Sequence, residues 1–134
     1  MIKYKYTEEY ELSSSPRIIF TYLQNPASLA EWFAEKVTLD NDKVFNFIWD
    51  KTNHYAKIVT IRQNKHIKFE FLDNEKQNIE DAPYIEFKIQ QSELTNSSYL
   101  KITDYSEMTE PKDLEALWSG LMAQLRQTMG ETGI

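Results

Sequence analysis

PKDLEALWSGLMAQLRQTM, residues 111–129, is the stretch on which the fold turns. Leu114, Leu117, Trp118, Leu121, Met122, Leu125 and Met129 recur at i, i+3, i+4, i+7, the spacing that gathers side chains on one face of an α-helix. Glu115, Ser119, Gln124 and Arg126 or Gln127 fall on the other faces, and Gly130 supplies a C-terminal stop. At 1.5 Å per residue such a helix runs about 28 Å. A sheet of about six strands spaced near 4.8 Å has a similar width. A helix this long with one apolar face therefore calls for a sheet to lie across.

The chain upstream provides one. Ile2, Tyr4, Tyr6, Tyr10 and Leu12 alternate with Lys3, Lys5, Thr7, Glu9 and Glu11, which is the period of a half-buried strand. From Glu35 to Tyr105 strand follows strand. Val37 and Leu39 alternate, and Asp40-Asn41-Asp42 turns the chain. Phe45, Phe47 and Trp49 alternate next, before a turn at 50–53. YAKIVTIR (55–62) forms another strand, then Ile67, Phe69 and Phe71 alternate against Lys68 and Glu70. A polar loop, 73–82, leads to Ile85, Phe87 and Ile89, and a turn at 95–98 leads to Leu100 and Ile102. Short strands joined by short turns, with no helix between them, pair antiparallel.

Between the first strand and this run lie two short helices. Ser15 caps a helix that Pro16 opens and that carries Ile18, Ile19, Tyr22 and Leu23. Asn25-Pro26 ends it, since the residue before proline avoids the α region. A second short helix starts at Pro26 or Ser28 and carries Leu29, Trp32 and Phe33.

Composition narrows the function classes. The 134 residues suit one domain, and 41% hydrophobic residues suffice to fill its core. There is no cysteine, hence no disulfide, thiol nucleophile or thiolate metal site. The net charge of −6 and the thin basic feature Lys65, His66, Lys68 argue against nucleic acid and against an anionic membrane surface. MIKYKYTEEYEL lacks the apolar run of a signal peptide, and no segment approaches a bilayer span, so a cytoplasmic location is expected.

Two segments carry a family resemblance. SPRIIFTYLQNPASLAEWF (Ser15–Phe33) has a helix, a short Asn-Pro break and a terminal Trp-Phe; DLEALWSGLMAQL (Asp113–Leu125) has a Trp-containing final helix. With the order strand, helix pair, six strands and long helix, they resemble the START-like, helix-grip (SRPBCC) superfamily. The branch they are most similar to contains the C-terminal domain of activators of the heat-shock protein 90 ATPase. The resemblance implies an α+β helix-grip fold, a curved antiparallel sheet of six to seven strands gripping the last helix. It also implies a cavity between them, which in that superfamily commonly takes apolar molecules, and it makes the first and last strands neighbours.

The candidate site follows. Its aromatic wall is Phe45, Phe47, Trp49, Phe69, Phe71 and Phe87 from the sheet, with Trp118, Met122 and Leu125 from the helix and Tyr10 and Ile102 from the outer strands. An apolar ligand pocket needs such a wall, and so does a packed core; periodicity alone leaves both open. Glu8 shares parity with Tyr6 and Tyr10, and Asp104 with Leu100 and Ile102. On neighbouring strands both carboxylates would face the cavity, as its polar end or as an acid/base pair with one pKa raised. The alternative is that a bulge or strand end turns each to solvent.

Other polar features carry less. His54 and His66 fall at strand–turn junctions, where exposure is expected, and neither has a neighbouring histidine. Asp40-Asn41-Asp42 lacks the Gly and distal Glu of a calcium loop. No metal or cofactor is expected. Ser13–Ser15 are explained by helix capping, and the Asn96-Ser97-Ser98 sequon by a turn. Three functions stay open: non-catalytic binding of a small lipid-like or aromatic ligand, a co-chaperone-like module that binds a protein partner, and a cyclase- or hydrolase-type enzyme using Glu8 and Asp104.

Overall fold

The computed structural model describes residues 2–107 and 111–131. Strand β1 (Tyr4–Leu12) leads into helices α1 (Pro16–Gln24) and α2 (Pro26–Leu29). Strands β2 (Lys36–Leu39), β3 (Phe45–Trp49), β4 (Thr52–Arg62), β5 (His66–Phe71), β6 (Tyr84–Gln91) and β7 (Ser98–Ser106) follow, and helix α3 (Pro111–Thr128) closes the order. The strands form one seven-stranded sheet in the order β1-β7-β6-β5-β4-β3-β2. Every neighbouring pair is antiparallel, and β1 returns beside β7 with Tyr6 opposite Asp104 and Glu8 opposite Ile102. This is the helix-grip α+β fold.

Local chemistry sets the corners. Trp49 pairs with Thr52, which leaves a two-residue hairpin loop of Asp50 and Lys51 with φ 49° and 62°. Two positive φ values in a two-residue loop make a type I′ turn, whose twist matches the flanking strands. The Asp40 carboxylate accepts from the backbone N–H of Asp42 and of Val44, both at 2.9 Å, and closes the β2–β3 turn. In β4 the register with β5 slips between Ile58 and Thr60. The extra residue, Val59, is a β-bulge, and bulges bend the strand that carries them. Val59 and Ile61 are exposed there; the strand expected over 55–62 is present within β4 and carries this bulge.

Ser15 caps α1 by accepting from Ile18 N–H at 3.3 Å, and Asn25 caps α2 by accepting from Ala27 N–H at 2.9 Å. The second helix stops at Leu29, shorter than expected, and Trp32 and Phe33 lie in the turns that follow, both buried. Leaving the helix frees the Trp32 indole N–H to reach Tyr22 C=O at 2.8 Å, which pins this turn against α1. Ile18 and Leu39 are exposed.

Helix α3 lies across the sheet with Leu114, Trp118, Met122 and Leu125 fully buried. Each such side chain contributes roughly 1.5–3 kcal/mol of burial. Its end is a Schellman motif: Glu131 N–H reaches Arg126 C=O at 2.8 Å and Gly130 N–H reaches Gln127 C=O at 3.1 Å. Gly130 has φ 78°, which only glycine adopts without strain. The Glu131 carboxylate then accepts from Ser13 N–H at 2.9 Å and from the Ser14 hydroxyl at 2.7 Å. This latch ties the helix end to the β1–α1 corner. Among the described residues no helix is long and apolar enough to cross a membrane.

Candidate functional site

The apolar face of α3 serves two purposes. Met122 and Leu125, toward its C-terminal end, close the core against the sheet. Leu114, Leu117, Trp118 and Leu121 roof a cavity of about 1040 Å³. Trp118 belongs to both. Leu117, expected on the packed face, is 44% exposed because it stands over the open side of the cavity.

The floor comes from the sheet: Trp49 of β3, His54 and Tyr55 of β4, Phe71 of β5 and Ile85 of β6. The loop between β5 and β6 adds Leu72, Ile79 and Pro83, and the turn after α2 adds Trp32 and Phe33. Asp104 supplies a buried polar wall. Exposed Glu31, Glu35, Asp50, Asn53, Asn74 and Glu107 rim the mouth.

The walls are fixed by hydrogen bonds. The Trp32 indole bonds Tyr22 C=O, the Trp49 indole bonds Phe33 C=O at 2.7 Å, and the Trp118 indole bonds the Asp104 carboxylate at 2.8 Å. All three tryptophans of the chain therefore line the cavity with their N–H groups occupied and their ring faces held in place. Phe33 packs edge-on against Phe47 at 5.1 Å and Trp49 at 5.2 Å, and lies 6.0 Å from Trp118. It plugs the space between cavity and core.

That plug explains how the candidate residues divide. Trp49, Phe71, Asp104 and Trp118 line the cavity. Phe45, Phe47, Phe69, Phe87, Ile102, Met122 and Leu125 lie instead in the closed core, since α1, α2 and Phe33 fill the other end of the concave face. Tyr10 is half-buried, and its hydroxyl meets that of Tyr6 at 3.1 Å away from the cavity. Burial and this neighbour push the Tyr6 hydroxyl well above the usual phenol range.

Glu8 departs from expectation. It has the inward parity, yet it is exposed, and its carboxylate turns back to Glu9 N–H at 3.2 Å. β1 is the outermost strand, so nothing beyond it covers a side chain that prefers water. Glu8 and Asp104 form no pair. Asp104 is 5% exposed. Burial raises its pKa above the usual carboxylate range, bonds from Trp118 and Ser106 oppose that rise, and no second carboxylate contributes. The acid/base dyad is therefore not assembled.

Both histidines are half-buried rather than exposed. His66 meets Glu86 at 2.7 Å on the convex side of the sheet. His54 lines the cavity, its ring 4.9 Å from that of Trp49. Its Nδ1 lies 3.0 Å from Thr52 C=O and 3.3 Å from Phe47 C=O. Carbonyl oxygens only accept, so Nδ1 carries the proton and Nε2 remains as the ring's other polar atom. Sequence reasoning missed His54, Ile85 and the acidic rim. The rim comes from four separate segments that only the folded chain brings together.

A family model described as START-like superfamily domain matches residues 1–131. No curated protein matches the chain. Among solved structures, a protein from Mesorhizobium loti is similar with a TM-score of 0.74 at 14% identity, over 98% of this chain and 100% of that one. The Aha1 dimer from Colwellia psychrerythraea is similar with a TM-score of 0.73 at 16% identity, over 97% and 99%. A protein from Bacillus halodurans gives 0.72 at 13% identity, over 96% and 99%. At these identities the likeness concerns the fold alone.

Proposed function

This chain belongs to the START-like superfamily, and from that premise we propose that it binds a small apolar ligand beneath the first turns of α3, without catalysing its conversion. The observation that carries the proposal is the cavity of about 1040 Å³, walled by Trp49, Phe71, Leu114, Trp118 and Leu121 with a single buried carboxylate, Asp104. Ligand sites are typically concave spaces of roughly 300–1,000 Å³ with apolar walls and a few placed polar groups. The volume suits a lipid-like or multi-ring aromatic molecule. One hydroxyl or amide N–H on such a molecule can donate to Asp104.

Nile red, which is neutral and brightens in apolar surroundings, tests this. The expected result is saturable binding with blue-shifted emission, accompanied by quenching of the tryptophans. Leu121→Trp fills the cavity from its roof and is expected to abolish binding while circular dichroism stays native. Absence of binding in the parent chain, or unchanged binding in Leu121→Trp, overturns the proposal.

A further inference from the structure

The lining of this cavity is one-sided in charge. Among the described residues that line it there are five carboxylates, Glu31, Glu35, Asp50, Asp104 and Glu107, and neither lysine nor arginine. His54 is the sole basic side chain in that lining. The chain as a whole mixes its charges, with 15 Lys and Arg against 21 Asp and Glu, so the lining departs from its surroundings. None of the four rim carboxylates takes part in a salt bridge among the described residues; the ion pairs formed are Lys3–Asp81, His66–Glu86 and Lys76–Asp40. Glu35 accepts only a long bond from Lys51 N–H at 3.4 Å.

Behind the rim stand aromatic faces. Trp49 and Phe71 are half-buried on the floor, and Trp118 forms the inner roof. The negative face of an aromatic ring attracts cations, tryptophan most strongly. A concave site lined by one sign of charge over low-dielectric walls focuses that potential at its mouth. An anionic head group would meet the unpaired carboxylates with no lysine or arginine of the lining to receive it. A neutral one would leave the rim unused.

We infer that the ligand is a cationic amphiphile, an apolar chain or ring system ending in an organic ammonium group. This rests on the cavity-binding proposal and specifies its chemical class. The apolar body lies between Trp49 and Phe71 below and Leu117 and Leu121 above. The ammonium stays at the mouth among Glu35, Asp50 and their neighbours, where it keeps part of its hydration and avoids the cost of burying a charge.

Three probes with the same decyl tail separate charge from apolarity: decyltrimethylammonium, decyl maltoside and decyl sulfate, each below its micelle concentration. Binding to the full chain is followed by tryptophan quenching and by calorimetry. Decyltrimethylammonium is expected to bind roughly tenfold more tightly than the maltoside at low salt, with decyl sulfate weakest. The advantage should shrink as salt rises, because exposed charges are screened. Glu35→Gln with Asp50→Asn should remove most of it, whereas Glu9→Gln with Glu93→Gln, the same charge change away from the cavity, should leave it intact. Equal affinities for all three probes, or an equal loss in both double variants, overturn the charge preference and leave the cavity proposal standing. Failure of all three probes to bind overturns both.

Discussion

Replacing Trp118 by phenylalanine tests the junction on which cavity and core both depend. Trp118 is 1% exposed and Asp104 5% exposed, and the indole N–H donates to the carboxylate at 2.8 Å. Phenylalanine keeps the edge-on contact with Phe87, now 5.9 Å away, but offers no donor. A hydrogen bond to a charged group is worth about 1.5–3 kcal/mol, and a bond between neutral groups about 0.5–1.5 kcal/mol. The smaller ring leaves a void that adds about 1 kcal/mol at roughly 24 cal/mol per Å³. The expected loss at neutral pH is therefore about 2.5 to 4 kcal/mol, which a domain stable by about 5–15 kcal/mol survives. The pH dependence gives the sharper check. The Trp118 bond lowers the Asp104 pKa, so its removal raises the folded-state value further and makes the ionised form costlier still. Below the ordinary carboxylate value Asp104 is protonated in both folded and unfolded states, and the cost of the substitution should shrink to about 1.5 to 2.5 kcal/mol. Urea unfolding followed by far-ultraviolet circular dichroism at neutral pH and near pH 3 measures both. A loss that is the same at the two pH values would refute the reasoning, because the indole would then not favour the ionised carboxylate over the neutral acid.

Other perturbations follow from the same geometry. The folded-state pKa of Asp104 lies above its unfolded value, so this group costs nothing below the ordinary carboxylate range and destabilises as pH rises through the raised value. Asp104→Asn keeps an acceptor for Trp118 and should flatten that part of the stability–pH curve in urea titrations; an unchanged slope counts against it. Glu131 behaves oppositely. Bonds from Ser13 and Ser14 outweigh its partial burial and hold its pKa low, so its contribution is present above the ordinary carboxylate value and is lost as pH falls through the depressed one. Glu131→Gln should cost about 1 kcal/mol at neutral pH, discounted for solvent screening, with faster amide exchange at Ser13 and Ser14 as the local signature. Lys51 sits at φ 62° in the second position of a type I′ turn, where glycine is favoured. Lys51→Gly relieves about 1–2 kcal/mol of left-handed strain against about 0.5–1 kcal/mol of glycine's extra entropy, so it should raise stability by about 0.5–1 kcal/mol, read as a higher melting temperature.

The residues themselves determined a great deal. Apolar residues at every second position in Phe45–Trp49, Ile67–Phe71 and Ile85–Ile89, then a switch to helical period after Pro111, determined these three strands and the final helix. Those periods are properties of single elements, so they survive without knowledge of neighbours. The capping residues Ser15 and Asn25 were legible for the same reason. The bulge at Val59 and the early end of α2 were not, because each is settled by what packs beside the chain.

Tertiary structure alone decided which inward-facing residue lines a cavity and which fills the core. Phe47 and Phe71 carry identical signals in the sequence, yet Phe33 seals one and leaves the other open. Glu8 and Asp104 have matching parity, yet an outermost strand releases the first to water and α3 covers the second. Parity states which side of a sheet a residue faces. Whether that side is filled, hollow or open depends on contacts between segments far apart in the chain, and it is those contacts that turned the face of α3 into both a core and a roof.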